Sequence, residues 1–194
     1  MAESTTARPP ETSLIPVIGS GQRRSVKVTA LGGGHGLSSS LSALKLVTGS
    51  LTAVVTVADD GGSSGLLRQE MDVVPPGDLR MALSALCDDT DWGRTWRDAM
   101  QHRFSSSKEG VPSSLENHAL GNLLIVTLWQ LLDDCVAGLD WAGALLNARG
   151  RVLPMAEIPM VIEGEVLSVD GDGQPVRETV RGQAKLARAG TIEN

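Results

Sequence analysis

The residues of this chain best suited to chemistry gather around two glycine-rich turns, Leu31-Gly32-Gly33-Gly34-His35-Gly36 and Ala58-Asp59-Asp60-Gly61-Gly62-Ser63-Ser64-Gly65. Each follows an apolar, β-like run, and two such turns at neighbouring strand ends point to a phosphate site. Gly32, Gly33, Gly34 and Gly36 let the backbone approach an anion. The helix start behind them adds unpaired N–H groups and a dipole that favours negative charge. Ser38, Ser39 and Ser40 place hydroxyl donors in what the pattern reads as the first helical turn. Gly61, Gly62, Ser63 and Ser64 form a second cradle of the same kind.

Asp59 and Asp60 stand at the carboxyl end of the second apolar run, where a parallel sheet presents its ligand-binding edge. Their spacing from Gly36 is close to the roughly 20 residues that separate a dinucleotide turn from a ribose-holding acid. The second glycine turn departs from that pattern. Alternatively, one or both carboxylates hold Mg²⁺ beside a diphosphate, a role that one or two carboxylates plus phosphate oxygens can fill. A third reading is a turn-forming, N-capping pair.

In Pro76-Gly77-Asp78-Leu79-Arg80 a rigid turn puts Arg80 in the first turn of a helix, with Asp78 as a candidate N-cap. A cation opposed to the helix dipole invites an anionic partner, whereas a plain surface arginine needs none. His118 and Asn122 lie four apart in Asn117-His118-Ala119-Leu120-Gly121-Asn122, on one face of a helix start, with Gly121 leaving room for a ligand. A core or capping histidine explains the same spacing. His35 sits inside the first glycine turn, where its backbone matters more than its ring. Other patterns fail: Asp170-Gly171-Asp172-Gly173 opens like a calcium loop but has Arg181 at the twelfth position, so a hairpin turn is expected. There is no Walker lysine, no nucleophile elbow and no zinc spacing.

The elements that must position these groups follow from the periodicity. A strand from about Val26, a helix from about Leu37 and a strand over Leu51 to Val57 make a β-α-β unit with a right-handed crossover. Helices are expected over Leu66 to Met71, Leu79 to Leu86, Trp92 to Phe104, His118 to Leu132 and Trp141 to Asn147, with a Ser-rich loop over Ser105 to Ser114. Met160 to Val169 and Val176 to Val180 form a β-hairpin. The fold class is therefore α/β, a Rossmann-like parallel sheet with flanking helices and a C-terminal β-hairpin. Met1 to Arg24 reads as a flexible lead-in, and Ala189 to Asn194 as an end without a cap or closing strand.

Composition narrows the function. The 194 residues suffice for one domain and are too few for two ordinary ones. A net charge of −6 with one Phe and no Tyr argues against nucleic acid, which needs clustered cations and stacking platforms. Cys87 and Cys135 imply buried reduced thiols. The apolar run Leu120 to Leu132 falls short of a membrane span, and no signal-peptide core precedes it, so a cytoplasmic chain is expected.

Taken together, the two glycine turns, Val55 to Val57 before the second, Pro75 to Arg80, His118 with Gly121-Asn122, and Arg149 to Pro154 resemble the YvcK-like gluconeogenesis factors of the CofD superfamily, from about Val26 onward. Many members have Thr in place of His35 and Gly in place of Asn117. The family continues beyond the hairpin with further strands and another ligand loop. The resemblance thus implies that 25–194 is the N-terminal portion of such a domain. It also implies a site for a UDP-sugar, notably UDP-N-acetylglucosamine, in proteins tied to carbon metabolism, cell-wall synthesis and cell shape. Phosphorylation by a Ser/Thr kinase and homo-oligomer formation are further expectations. The first reading is a non-catalytic UDP-sugar sensor in which the glycine turns hold the diphosphate, Asp59 or Asp60 contacts a metal or ribose, and His118 and Asn122 close the pocket. The rival is a metal-dependent transferase related to 2-phospho-L-lactate transferase, with Mg²⁺ on Asp59 and Asp60.

Overall fold

The computed structural model describes residues 26–105, 113–169 and 174–189. The expected lead-in, most of the Ser-rich loop, the Asp170–Gly173 turn and the last residues lie outside the described residues.

The β-α-β unit is present: β1 (Val28–Gly32), α1 (Gly34–Leu44) and β2 (Leu51–Val55), with the strands parallel and Gly32 opposite Val55. A third strand, β3 (Arg151–Pro154), joins parallel to the other side of β2, giving the order β1-β2-β3. β3 has too few residues and too little alternation to stand out by periodicity. Because β2 is central, Leu51, Ala53 and Val55 are buried at 3%, 0% and 0% exposure, and the turn at its carboxyl end sits in the middle of the edge.

Both helices behind the glycine turns begin earlier than expected. α1 starts at Gly34 rather than Leu37, and α2 (Gly62–Met71) at Gly62 rather than Leu66. In each case an extended glycine, Gly33 or Gly61, is the N-cap, and a left-handed glycine follows, Gly34 at φ +57° or Gly62 at φ +50°. Glycine adopts the left-handed conformation without strain, so the helix opens inside the run that composition marks as turn. Ser38 to Ser40 consequently fall beyond the first three N–H groups, and Ser40 spends its hydroxyl on the Gly36 carbonyl at 3.0 Å.

The helix α3 (Gly77–Leu86) is nearly all buried and packs against α1, α4 (Asp91–Gln101), α5 (Leu120–Leu132) and β2. Its Leu79, Leu83 and Leu86 join Leu41, Met100, Ile125, Leu139 and Leu146 at the centre of the core. α4 stops short of Phe104 because the next residues cross to a bridge between Arg103 and Ala119. α6 (Cys135–Leu145) begins well before Trp141, since Asp134 accepts a hydrogen bond from Ala137 N at 2.8 Å and caps it. Cys87 and Cys135 are unpaired thiols, and burial pushes both up to about 11. No helix among the described residues is long and apolar enough to cross a membrane.

The hairpin, β4 (Glu163–Val169) with β5 (Pro175–Arg181), is antiparallel and forms a separate sheet. A short helix that the sequence pattern did not indicate, α7 (Gln183–Leu186), follows it.

Two glycines give opposite tests of this packing. A Cβ at Gly65 would collide with the Asp60 backbone carbonyl, whereas one at Gly36 meets nothing within 4 Å. Gly65→Ala should destabilise the chain by about 1–3 kcal/mol despite alanine's better helix propensity. Gly36→Ala should stabilise it by about 0.5–1 kcal/mol. Urea unfolding of the two variants checks both signs.

Candidate functional site

The carboxyl edge of β1 and β2 brings three segments together: the Gly33 turn, the Asp59–Gly62 turn and the start of α3. Thr56 N donates to Gly32 O at 2.8 Å, which carries the register past the last ladder pair. Thr56 Oγ1 then donates to Asp78 Oδ2 at 3.1 Å. A Cβ on Gly33 would collide with both of these side-chain oxygens. Gly33 is therefore small because the chain's own Asp78 and Thr56 press against it, and the open positions of the first turn are Gly34 and Gly36.

Asp78 is not the N-cap of α3. Pro76 takes that position, and Asp78 lies in the first turn with its carboxyl reaching across to the mouth of α1. Burial raises its pKa above the ordinary value of 3.8, the Asp59 charge adds to the rise, and the Thr56 hydroxyl, the Gly34 N–H and Arg80 oppose it. A carboxylate at this point meets the anion preference of the helix mouth from within the protein.

In the second turn, Asp59 Oδ1 accepts from Gly61 N at 3.0 Å, while Oδ2 lies so near Gly77 that a Cβ there would approach it to 2.9 Å. Ser64 Oγ accepts from Gly77 N at 2.9 Å and clamps this turn to α3. Asp60 turns the other way, and its Oδ1 accepts from Ala184 N at 2.8 Å in α7. The carboxylates that the fold brings together are thus Asp59 and Asp78, rather than Asp59 and Asp60. The Gly62 side of this turn is open, and no side chain caps α2.

Beneath the edge runs a buried polar chain. Arg80, only 4% exposed, donates from Nε to Asn122 Oδ1 at 2.9 Å and from its guanidinium to Gln101 Oε1. Asn122 Nδ2 donates to Ser63 Oγ at 3.1 Å, and Ala119 N approaches the same oxygen at 3.4 Å. With both lone pairs of Ser63 engaged, its hydroxyl proton is directed to His118 Nδ1, 3.1 Å away. Arginine can only donate, so Asn122 Oδ1 must accept and the Asn122 amide N–H is turned toward Ser63. Burial, and then the Arg103 charge, lower the Arg80 pKa to about 10, while Asp78 and Asp59 act against them.

These contacts revise several expectations. Arg80 is an interior cation, not a surface one. Gly121 makes room for the Arg80 stem and the Met100 carbonyl, which a Cβ would approach to 2.9 and 2.7 Å, and not for a ligand. His118 precedes α5, whose N-cap is Ala119, but it still converges with Asn122 on Ser63. His35 is exposed in the first turn of α1. Asn117 holds φ +64°, a left-handed conformation that asparagine tolerates and glycine adopts freely. Sequence reasoning missed Thr56, Gln101 and the role of Asp78. An Asp after Pro-Gly at a helix start reads as a cap, and only the register beside Gly33 shows where its carboxyl goes.

Among the described residues no group of three or more His, Cys, Asp or Glu side chains can hold a metal ion. The Asp59 and Asp78 carboxylates fit a hard cation only if phosphate oxygens complete its shell.

A family model described as "2-phospho-L-lactate transferase CofD" matches residues 28–191. A "Putative gluconeogenesis factor" of Mycobacterium tuberculosis is 51% identical over 160 residues, covering 82% of this chain and 45% of that protein. A "Gluconeogenesis factor" of Halalkalibacterium halodurans is 39% identical over 163 residues, with 84% and 46% covered. The chain spans less than half the length of these curated relatives. The crystal structure of a member of the UPF0052 family from Bacillus halodurans superposes with a TM-score of 0.67 at 36% identity, covering 85% of this chain and 48% of that one.

The raised Asp78 pKa has a signed consequence. The folded chain holds this proton at pH values where the unfolded chain has released it. Its contribution to stability therefore grows as pH falls through the folded pKa toward 3.8, and disappears at higher pH. Asp78→Asn keeps an acceptor for Thr56 without a buried charge. The variant should be at least as stable as the parent at neutral pH and lack that acid-side gain, as read from urea unfolding at a series of pH values.

Proposed function

The chain belongs to the CofD family, and from that premise we propose that it forms part of a nucleotide-sugar-binding regulator, with UDP-N-acetylglucosamine as the ligand. The observation that carries this reading is the pair of glycine turns, each opening a helix, at the carboxyl edge of a parallel sheet, with Gly34, Gly36 and Gly62 open. The uncapped mouth of α2 receives the diphosphate, because its first N–H groups are unpaired by any side chain and its dipole favours negative charge. At the mouth of α1 the position nearest Gly33 is held by Asp78, so that turn faces hydroxyl groups of the ligand or a cation bound with it. Asp59 and Asp78 orient that part of the ligand. Arg80, Asn122, Ser63 and His118 hold the edge in shape from below, and the positive charge of Arg80 offsets the two carboxylates. The names of the curated relatives support a role in gluconeogenic growth, and a link from there to cell-wall synthesis and cell shape is part of the same proposal.

A second reading, a metal-dependent transferase of phosphorus-containing groups, is favoured by the approach of Asp59 to Asp78 and by the description of the matching family model. Asp59 and Asp78 would hold Mg²⁺, and the ion would neutralise charge on a phosphate group.

UDP-N-acetylglucosamine should stabilise the chain more than UDP, and NAD less than either. Ligand at 100 times its dissociation constant adds about 2.7 kcal/mol. Asp59→Asn should weaken the shift without unfolding the chain. Thermal unfolding with each ligand is the test. A larger shift with NAD contradicts the nucleotide-sugar reading, and Mg²⁺-dependent product formation would favour the transferase.

A further inference from the structure

Beside the second glycine turn, on the hairpin side of the edge, lies a cleft of about 320 Å³ lined by Ala58 and Asp60 from the turn, Arg68 of α2, Val161, and Arg181, Gly182 and Lys185 around α7. Three cations from two walls converge here, in a chain whose net charge is −6. Arg181 is answered by Glu163 at 2.7 Å. Among the described residues the side chains of Arg68 and Lys185 have neither a hydrogen bond nor an ion pair, and the one carboxylate lining the cleft, Asp60, also accepts from Ala184 N.

The walls are held in place by specific contacts. Asp60 ties α7 to the strand end, and Gly182 N donates to Ile162 O at 2.8 Å. Gly182 itself stands at φ +104° and is buried so close to Asp60 that a Cβ would strike its carboxylate. The fold thus uses a glycine and a part-buried carboxylate contact to hold Arg68, Arg181 and Lys185 around the cleft against two carboxylates, Asp60 and Glu163, which leaves it with an excess of positive charge. That excess favours a further anion in the cleft.

We propose that this cleft is an anion subsite that takes a diphosphate group, with Arg68 and Lys185 gripping it from opposite walls. Its volume is at the lower end of small-molecule sites, roughly 300–1,000 Å³, which suits a diphosphate better than a whole nucleotide. For the identity of the natural ligand the inference rests on the nucleotide-sugar reading, since the cleft continues the second turn through Ala58 and Asp60. The subsite itself is testable without it.

The test is titration calorimetry of the full chain with inorganic pyrophosphate and, separately, with UDP-N-acetylglucosamine. Arg68→Gln and Lys185→Gln, alone and together, are compared with Arg68→Lys and with Arg97→Gln on α4, and circular dichroism checks each fold. Pyrophosphate affinity should fall at least about tenfold in the double variant, weaken as salt rises, and survive Arg68→Lys and Arg97→Gln. Absent pyrophosphate binding, or binding indifferent to Arg68→Gln and Lys185→Gln, overturns the subsite even if UDP-N-acetylglucosamine binds. Pyrophosphate binding that requires both cations, with no UDP-N-acetylglucosamine binding, supports the subsite and removes the nucleotide sugar as its ligand.

Discussion

Burying a guanidinium costs several kcal/mol unless its N–H groups are met and its charge is answered, and Arg80 sets that requirement under the sheet edge. Its hydrogen bonds draw Gln101 from α4 and Asn122 from α5 onto α3. Asn122 in turn places Ser63, which begins the second turn's helix, and Ser63 orients His118. Gly121 must be glycine because the Arg80 stem lies against it. Four helices are thus registered against one another by a single cation, with Asp59 and Asp78 supplying the opposing charge. A substitution at Arg80 would disturb the edge through all of them.

The same arrangement makes the two glycine turns unequal. Their backbones are alike, an extended glycine followed by a left-handed one, but at the first a carboxyl from another segment, Asp78, presses on the extended glycine, whereas at the second the turn's own Asp59 accepts from Gly61 N. An anion approaching α1 meets the Asp78 carboxyl, which presses on Gly33 at the mouth of that helix. An anion approaching α2 meets the N–H groups that follow Gly61, which no side chain among the described residues caps, with Arg68 of the same helix and Lys185 of α7 lining the cleft beside it. On the proposed reading, this asymmetry would turn the phosphate end of a nucleotide sugar to the second turn and its hydroxyl-rich end to the first.

Much of this was legible in the sequence, for physical reasons. Alternating apolar residues in Leu51 to Val55 announce the central strand, and the leucine spacing of α1 and α3 announces helices. The glycine turns stand out because few other residues tolerate their backbone. Helix starts were harder, since Gly34 and Gly62 hide a helical turn within a glycine run. β3 carries too few residues to show a period. Where the Asp78 and Arg80 side chains end was hidden for a different reason. Local spacing says where a side chain leaves the backbone, but the facing partners, Gly33 and Thr56 for one and Gln101 and Asn122 for the other, come from distant segments that only the register brings near.

The central claim is that the open glycine positions at the carboxyl edge receive the ligand. A chemical-shift map of the isotope-labelled chain titrated with UDP-N-acetylglucosamine tests it most directly. If the edge is the binding site, the largest saturable changes fall on the amides of Gly34, Gly36, Gly61 and Gly62, with smaller ones at Asp78 and Ser63. Changes confined to the outer face of α4 or to β4, or no saturable change at any glycine of the two turns, would contradict it.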